Sequence, residues 1–410
     1  MATFDLVDDL LFPPSRYNLL PTVDETFARR VDALPPRAFE THRQGRVHFL
    51  NYRADALPGR LVEPVPLTAQ TLHGALVTRY EEDNTEREAS PHAPKHWSAG
   101  IYTSRRELLP EFQAMVERRY NPWDYTRCVT PARVEQSRCA AAKPLPGRFV
   151  YLGTLRTHFG HFLLESLARA WAVLDLDPTV KLLFHPSRPE PYAVPGFAVE
   201  ALAALGVEPE RIVVAHEDLI PETLVVPTAQ FAMGATGSPG MCLAFDRMRD
   251  RLSDRRPAGR DRPSRVYLTR RLMDEPLQRR ADFYAGNRTR RDFIAAKTLA
   301  NEDEIEALFA ARGFEIIAPE TRSLAEQVDV VAHASHVAGV TGSALHLALF
   351  GNDPKSRLIA LDPRWEINQF IIEQIRNIEA FHINCAESTD ADGARQFDCG
   401  LVWQALKQIA

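Results

Sequence analysis

The 410-residue chain contains no run of eighteen or more apolar residues, so a membrane-spanning helix is not expected. Cysteine is scarce. Cys128, Cys139, Cys242, Cys385 and Cys399 are scattered, with no CxxC pair among them. That spacing gives neither a zinc site nor a disulfide framework, and reduced thiols in a cytosolic setting are the simplest account. An excess of basic charge is also missing. Lys and Arg number 49 against 54 Asp and Glu, a formal net charge of −5, which argues against wholesale electrostatic binding to nucleic acid. The opening Met1-Ala2-Thr3-Phe4-Asp5-Leu6-Val7-Asp8-Asp9 is acidic and lacks the basic segment of a secretory signal. A cytoplasmic protein is expected, with peripheral contact at the inner membrane face left open because it needs only a small patch.

Several catalytic signatures are absent. GxGxxG, GxxxxGK[ST], HExxH and GxSxG do not occur, which removes support for a dinucleotide fingerprint, a P-loop, a zinc protease or a nucleophile elbow. Asp175-Leu176-Asp177 has the spacing of a DxD metal motif. It falls at a predicted helix end just before Pro178, and reads as a helix stop.

What is present is an α/β alternation. Residues 1–70 are Pro-rich and irregular, with short apolar runs such as Val47-His48-Phe49-Leu50. A polar stretch at 80–99 reads as a surface loop, and apolar spacing predicts a helix over 104–119. Strands are expected at 149–152, 180–184, 211–214 and 223–227, with helices over 158–174 and 196–205. The Arg- and Asp-interleaved stretch 247–264 reads as a linker. A second series then gives strands at 265–269, 314–317, 337–340 and 357–361. Its helices are expected over 301–312, 324–332, 344–350 and 365–379, with Asn301 and Glu304 suited to a cap. Alternation of this kind implies parallel sheets with right-handed crossovers.

Three groups could carry chemistry. His161 and Glu165 stand four apart on a predicted helix and share a face, the arrangement of a general base oriented by a carboxylate; a capping or half-buried histidine is the plainer alternative. Arg270 and Arg271 end a strand, where guanidinium suits a diphosphate, or where they pair with Asp274 or Glu275. The turn Thr341-Gly342-Ser343-Ala344 would aim helix N–H groups at the mouth of a sheet, a seat for phosphate, or would be an ordinary strand-to-helix connection.

Taken in order, these pieces resemble family 61 of the glycosyltransferases, the capsular-polysaccharide and xylan-type transferases. Gly160-His161-Phe162-Leu163-Leu164-Glu165 and Val266-Tyr267-Leu268-Thr269-Arg270 carry part of the likeness. Asn301-Glu302-Asp303-Glu304, Gly313-Phe314-Glu315 and Pro319-Glu320 carry more. Ser323-Leu324-Ala325-Glu326-Gln327 and the stretch from Gly339 to His346 complete it. The resemblance implies a GT-B-like α/β fold, two Rossmann-like domains facing across a cleft behind an irregular N-terminal extension. Residues 71–246 would be the acceptor domain, 265–380 the nucleotide-sugar domain, and 381–410 a tail. The implied reaction is inverting transfer of a hexosyl or pentosyl group from a nucleotide-sugar, UDP-linked, to a glycan or polysaccharide hydroxyl, without metal or other cofactor. His161 would be the base and Glu165 its orienter. Arg270, Arg271, Glu304, Gln327, Thr341, Gly342, Ser343, Ala344 and His346 would serve the donor. Thr341, Ala344 and Leu347 stand where many members carry His, Gly and Asn. A nucleotide-sugar epimerase of the same fold, and a non-catalytic glycan- or nucleotide-binding protein, are the other readings.

Overall fold

Apolar runs alternating with helices build two seven-stranded sheets. A computed structural model describes residues 25–33, 39–53, 59–83, 95–109, 126–128, 130–188, 191–253, 262–273, 299–351, 353–361, 366–389 and 395–409. The strands of the two sheets, in chain order, are β1 (Thr41–Gln44), β2 (Val47–Leu50), β3 (Ala69–His73), β4 (Leu76–Val77), β5 (Ile101–Tyr102), β6 (Lys143–Leu155), β7 (Lys181–Pro186), β8 (Ile212–Val214), β9 (Leu219–Pro227), β10 (Arg265–Leu268), β11 (Glu315–Ile317), β12 (His336–Val340), β13 (Arg357–Leu361) and β14 (Glu379–Ile383). The expected mixed α/β class is what the structure has. Two compact units divide the chain. The first takes the residues up to Val62, Gly234–Thr236 and Met248 onward; the second takes Glu63–Met233 and Gly237–Arg247.

The sheet of the first unit runs β1-β2-β14-β13-β12-β10-β11. All its pairings are parallel except β1 with β2. Its central strands are buried almost throughout; β13 hides Leu358, Ile359, Ala360 and Leu361, as a strand covered on both faces should. Against this sheet, helix α1 (Glu25–Asp32) contacts α2 (Glu302–Ala310) and α5 (Cys399–Ile409), and the group packs on Leu50, Tyr267, Ile359 and Ile383. Asp32 fastens this group by accepting from Trp403 Nε1 and Lys407 Nζ, each at 2.7 Å. Helix α3 (Leu324–His333) begins on a full capping box, Ser323 with Glu326, a local device that stabilises a helix start by about 1 kcal/mol. Helix α4 (Ile367–Arg376) is capped by Glu366, which accepts from Asn368 N and Gln369 N.

The second unit's sheet runs β8-β7-β6-β9-β4-β5, with β3 also pairing β9. The four strands β8, β7, β6 and β9 are parallel. Behind them lies a buried polar chain. Tyr151 donates its hydroxyl to Nδ1 of His185 at 2.8 Å, and Nε2–H of His185 donates to Thr78 O at 2.8 Å. Burial drives His185 down to about 4, so the imidazole is neutral and holds that tautomer.

Several expectations are corrected. The single helix predicted over 158–174 is an α-turn at Phe159–His161, a π-helical turn at Phe162–Ser166 and a 3-10 turn at Ala170–Val173. Its side chains explain the changes of winding. Ser166 Oγ ties Arg156 N to Thr154 O, while Arg169 Nε and Trp171 Nε1 donate to Pro227 O and Thr228 O. The predicted helix over 344–350 is a six-residue 3-10 turn, Leu345–Phe350. The ends of the polar 80–99 stretch pair as strands, Glu81–Asp83 with Lys95–Ser98. Residues 104–109 form a turn and a bridge from Tyr102 to Leu108; the rest of that predicted helix, like Asp274 and Glu275, lies outside the described residues. Helix Met241–Ser253 occupies the start of the 247–264 stretch, and 381–409 supplies the end of β14, a hairpin and α5. Among the described residues no helix is long and apolar enough to cross a membrane.

Candidate functional site

In the second unit, β6 ends at Leu155 and the chain turns at once into the segment that carries His161. The strand order reverses beside β6, between the β7–β8 side and β9, the place where such sheets accept ligands. His161 Nδ1–H donates to Glu165 Oε2 at 2.6 Å, and the other oxygen of Glu165 accepts from Arg156 Nη2 at 3.0 Å. His161 caps the π-helical turn that carries Glu165, a winding often found at functional positions. Both side chains are part-exposed, 29% for His161 and 23% for Glu165, so the pair is reachable. With Nδ1–H fixed on a carboxylate, Nε2 is the nitrogen that can take a proton. The ring of His158 stands edge-on to that of His161 at 5.0 Å.

In the first unit, β11, β10 and β12 are neighbours in that order, so the chain runs from β10 outward to β11 and back across to β12. The reversal lies between the carboxyl ends of β10 and β12. Arg270 follows β10 and the Thr341–Ala344 turn follows β12. The two arginines separate in role. Arg271 is committed to Glu306, which it meets through Nε at 3.1 Å and through Nη2. Among the described residues no carboxylate lies within ion-pair distance of Arg270.

Under the strand end sits a buried carboxylate pair. Glu302 and Glu306 are one turn apart on α2, 3% and 0% exposed. Glu302 Oε1 accepts from Tyr267 Oη at 3.0 Å and Arg270 N at 3.2 Å, with Thr269 Oγ1 close by at 3.1 Å. Glu306 Oε1 accepts from Thr269 Oγ1 at 2.5 Å. Burial pushes both carboxyls up, against the pull of those donors. The cluster thus fixes Thr269, the backbone of Arg270 and the side chain of Arg271.

The Thr341–Ala344 turn is anchored by Thr341 N donating to Leu361 O at 3.1 Å. Gly342 has φ +144°, a conformation that side chains disfavour. Among the described residues no acceptor meets the backbone N–H of Gly342, Ser343 or Ala344. Three adjacent donors in a turn make an anion-binding concavity. This replaces the expected helix N-terminus, since only a 3-10 turn follows. Ser343 and Ala344 are half-buried. His346 is 6% exposed, and neither ring nitrogen has a hydrogen-bond partner among the described residues; Nε2 stands 3.9 Å from Glu366 Oε2. Burial tends to raise Glu366, but His346 and the N–H groups of Gln369 and Asn368 outweigh it and hold the carboxyl below its usual range. Leu347 is fully buried in the core.

Two donor-side residues are placed in structural roles. Glu304 faces the C-terminal segment, where it accepts from Asn301 Nδ2 at 3.1 Å beside Cys399. Asn301 takes the N-cap position but spends its side-chain amide on Phe397 O. Gln327 donates to Arg322 O at 2.9 Å within the start of α3. Conversely, Arg156, Glu302, Glu306 and Glu366 belong to the clusters, although none of them is among the expected site residues. The i,i+4 spacing of Glu302 and Glu306 was the available signal for that pair.

Asp177 accepts from Thr179 N at 2.8 Å and Thr179 Oγ1 at 2.7 Å, and Asp175 sits at φ +59°, which makes Asp175–Thr179 a turn. Among the described residues no three His, Cys, Asp or Glu side chains are grouped to hold a metal ion. No curated protein matches the chain. One family model does match, over residues 159–359: Glycosyltransferase 61.

Proposed function

Residues 159–359 belong to glycosyltransferase family 61, and on that premise we propose that the chain moves a sugar from a UDP-linked donor to a hydroxyl of a glycan or polysaccharide, with inversion. Transfer by this family requires a donor and an acceptor substrate. The observation that carries the finer reading is the pairing of Arg270 with the Gly342–Ala344 donors on either side of one strand-order reversal. A cation and three N–H groups at such a crevice suit a nucleoside diphosphate. The two α/β units are of the kind a GT-B transferase uses.

In the proposed reaction the acceptor oxygen attacks the anomeric carbon while the bond from that carbon to the diphosphate oxygen breaks. The hydroxyl proton passes to Nε2 of His161. Glu165, itself held by Arg156, steadies the imidazolium that results. The nucleoside diphosphate leaves with the bonding electron pair, and Arg270 with the Gly342–Ala344 N–H groups meets its charge. A single displacement inverts the anomeric centre. The thiols Cys139, Cys242, Cys385 and Cys399 support a reducing, cytoplasmic setting.

The test is titration of UDP into the protein by calorimetry, followed by NMR of the product formed from UDP-sugars and a polysaccharide acceptor. Saturable UDP binding and a product of opposite anomeric configuration are expected. A product that retains configuration removes His161 as the base of a single displacement, and an epimerised donor with no UDP released removes transfer.

A further inference from the structure

We propose that Arg188, laid over the ring of Tyr192, reads an anionic group, carboxylate or phosphate, on the acceptor glycan. The inference rests on the transfer reading above and names the class of acceptor it would take. β6 and β7 are parallel neighbours whose ends are in register, Leu155 opposite Pro186. Arg156 therefore leaves one strand, and Ser187-Arg188 the next, at the same carboxyl edge of the sheet. Arg156 is the arginine that anchors Glu165 and, through it, His161. The proposed base and Arg188 thus follow adjacent strand ends of one unit.

Tyr192 joins the two strand ends. Its hydroxyl donates to Leu155 O at 2.7 Å and accepts from Ser187 N at 2.9 Å, which fixes the ring. The guanidinium carbon of Arg188 stands 5.0 Å from the ring centroid. The ring of His216, two residues past β8, meets Tyr192 edge-on at 5.9 Å. Arg156 and Arg188 both act electrostatically on the Tyr192 hydroxyl, so the two guanidiniums share one neighbourhood. A guanidinium stacked on an aromatic face keeps its planar fork of donors at its edge, the shape that meets a carboxylate or a phosphate. Arg188 and Tyr192 are both part-exposed, so a ligand can reach them. The chain as a whole carries a net charge of −5, and positive charge gathered at this edge is therefore a local feature. The donor has its own cation in the first unit, Arg270, so the charge left for Arg188 to meet belongs to the acceptor.

The test puts the full chain on an array of neutral, uronate-bearing and phosphate-bearing oligosaccharides, beside calorimetry with UDP. The wild type is expected to hold the acidic glycans in preference to the neutral ones, more weakly as salt is raised. A signal limited to uronates or to phosphates says which group Arg188 meets. Arg188→Ala should weaken the acidic glycans about tenfold, the worth of one hydrogen bond to a charged group, and leave neutral glycans and UDP as in the wild type. Arg188→Lys keeps the charge and loses the stacked fork, and should fall between the two. Wild-type binding that ignores charge, no glycan binding at all, or an acidic preference that survives Arg188→Ala overturns the acceptor assignment while the donor reading stands. Equal loss of acidic and neutral glycans in Arg188→Ala marks the residue as structural, and loss of UDP affinity moves it to the donor; either result overturns the proposal. A wild type that holds acidic glycans through Arg188 but does not bind UDP strikes the donor reading and leaves Arg188 as the reader of an acidic glycan.

Discussion

Glu165 joins His161 to Arg156 through its two carboxylate oxygens, at 2.6 Å and 3.0 Å. The imidazole is thereby held in one tautomer by a carboxylate that is itself pinned by a guanidinium. The proposed base, its orienter and their anchor lie within ten residues of the end of one strand. Replacing His161 with Ala should lower kcat by about 10²–10⁴-fold while UDP affinity stays within about twofold. Glu165→Gln keeps the volume and loses the charge, and should cost less than His161→Ala. Steady-state kinetics beside UDP calorimetry separates these effects; a His161→Ala enzyme with near-normal kcat removes the base.

Arg270 and Arg271 are adjacent in sequence, yet opposite outcomes are expected for their variants. Arg270→Ala breaks no ion pair among the described residues and should leave the melting temperature almost unchanged while weakening UDP binding by tenfold or more. Arg271→Ala strands the Glu306 carboxylate in the interior and should destabilise the fold by about 3 kcal/mol. Urea unfolding and UDP titration of both variants decide it. Equal losses of stability would mean that the division of labour is wrong.

Gly342 carries the turn of the proposed diphosphate seat at φ +144°, with open space where a Cβ would stand. Gly342→Ala therefore meets backbone strain without a clash. A local cost of about 1–3 kcal/mol is expected, relieved by rotation of the turn that displaces these N–H groups. UDP affinity should fall by about tenfold, with the far-ultraviolet circular dichroism unchanged. A variant that binds UDP as the wild type does would show that these N–H groups do not meet the ligand.

His185 makes stability depend on pH. Its folded value near 4 lies below the ordinary 6.5, so between those values the unfolded chain binds a proton that the native protein does not. Stability from this group is fully present above about 6.5 and is lost as the pH falls toward 4. The span corresponds to roughly 3 kcal/mol. Glu302, Glu306 and Glu320, whose folded values are raised, act in the opposite sense. The clean readout is the difference between wild type and His185→Gln, whose amide can still bridge Tyr151 and Thr78. Chemical unfolding from pH 7 to pH 4 should show the wild type losing more stability than the variant; parallel curves would contradict a neutral, buried His185.

Much of the α/β pattern was legible because parallel strands covered on both faces read as apolar runs, as in Val337–Val340 and Leu358–Leu361. The Ser323–Glu326 capping box was legible because its chemistry is local. The winding of 158–174 was not, since the side chains of Arg169 and Trp171 bind the backbone carbonyls of Pro227 and Thr228, distant in sequence. His161 with Glu165 was found from spacing alone, whereas Glu304 was named where the cluster uses Glu302 and Glu306. Helix periodicity puts 302 and 306 on one face and 304 on another, and only the docking of that helix fixes which face meets the strand end. Arg271 was indistinguishable from Arg270 for the same reason.

Asn51 and Asn384, 333 positions apart, donate side-chain amides to each other's backbone carbonyls at 2.8 Å and 3.0 Å. They stand just past the carboxyl ends of β2 and β14, which lie side by side and parallel. Translation delivers β2 well before β14. Glu63–Met233 can complete the second unit's parallel strands on a nascent chain, while Val47–Leu50 waits as an unpaired apolar edge for a strand not yet synthesised. A chain released before β14 emerges would expose that edge, the surface on which strands aggregate. Loss of β14 is therefore predicted to be more damaging than its place outside both candidate clusters suggests.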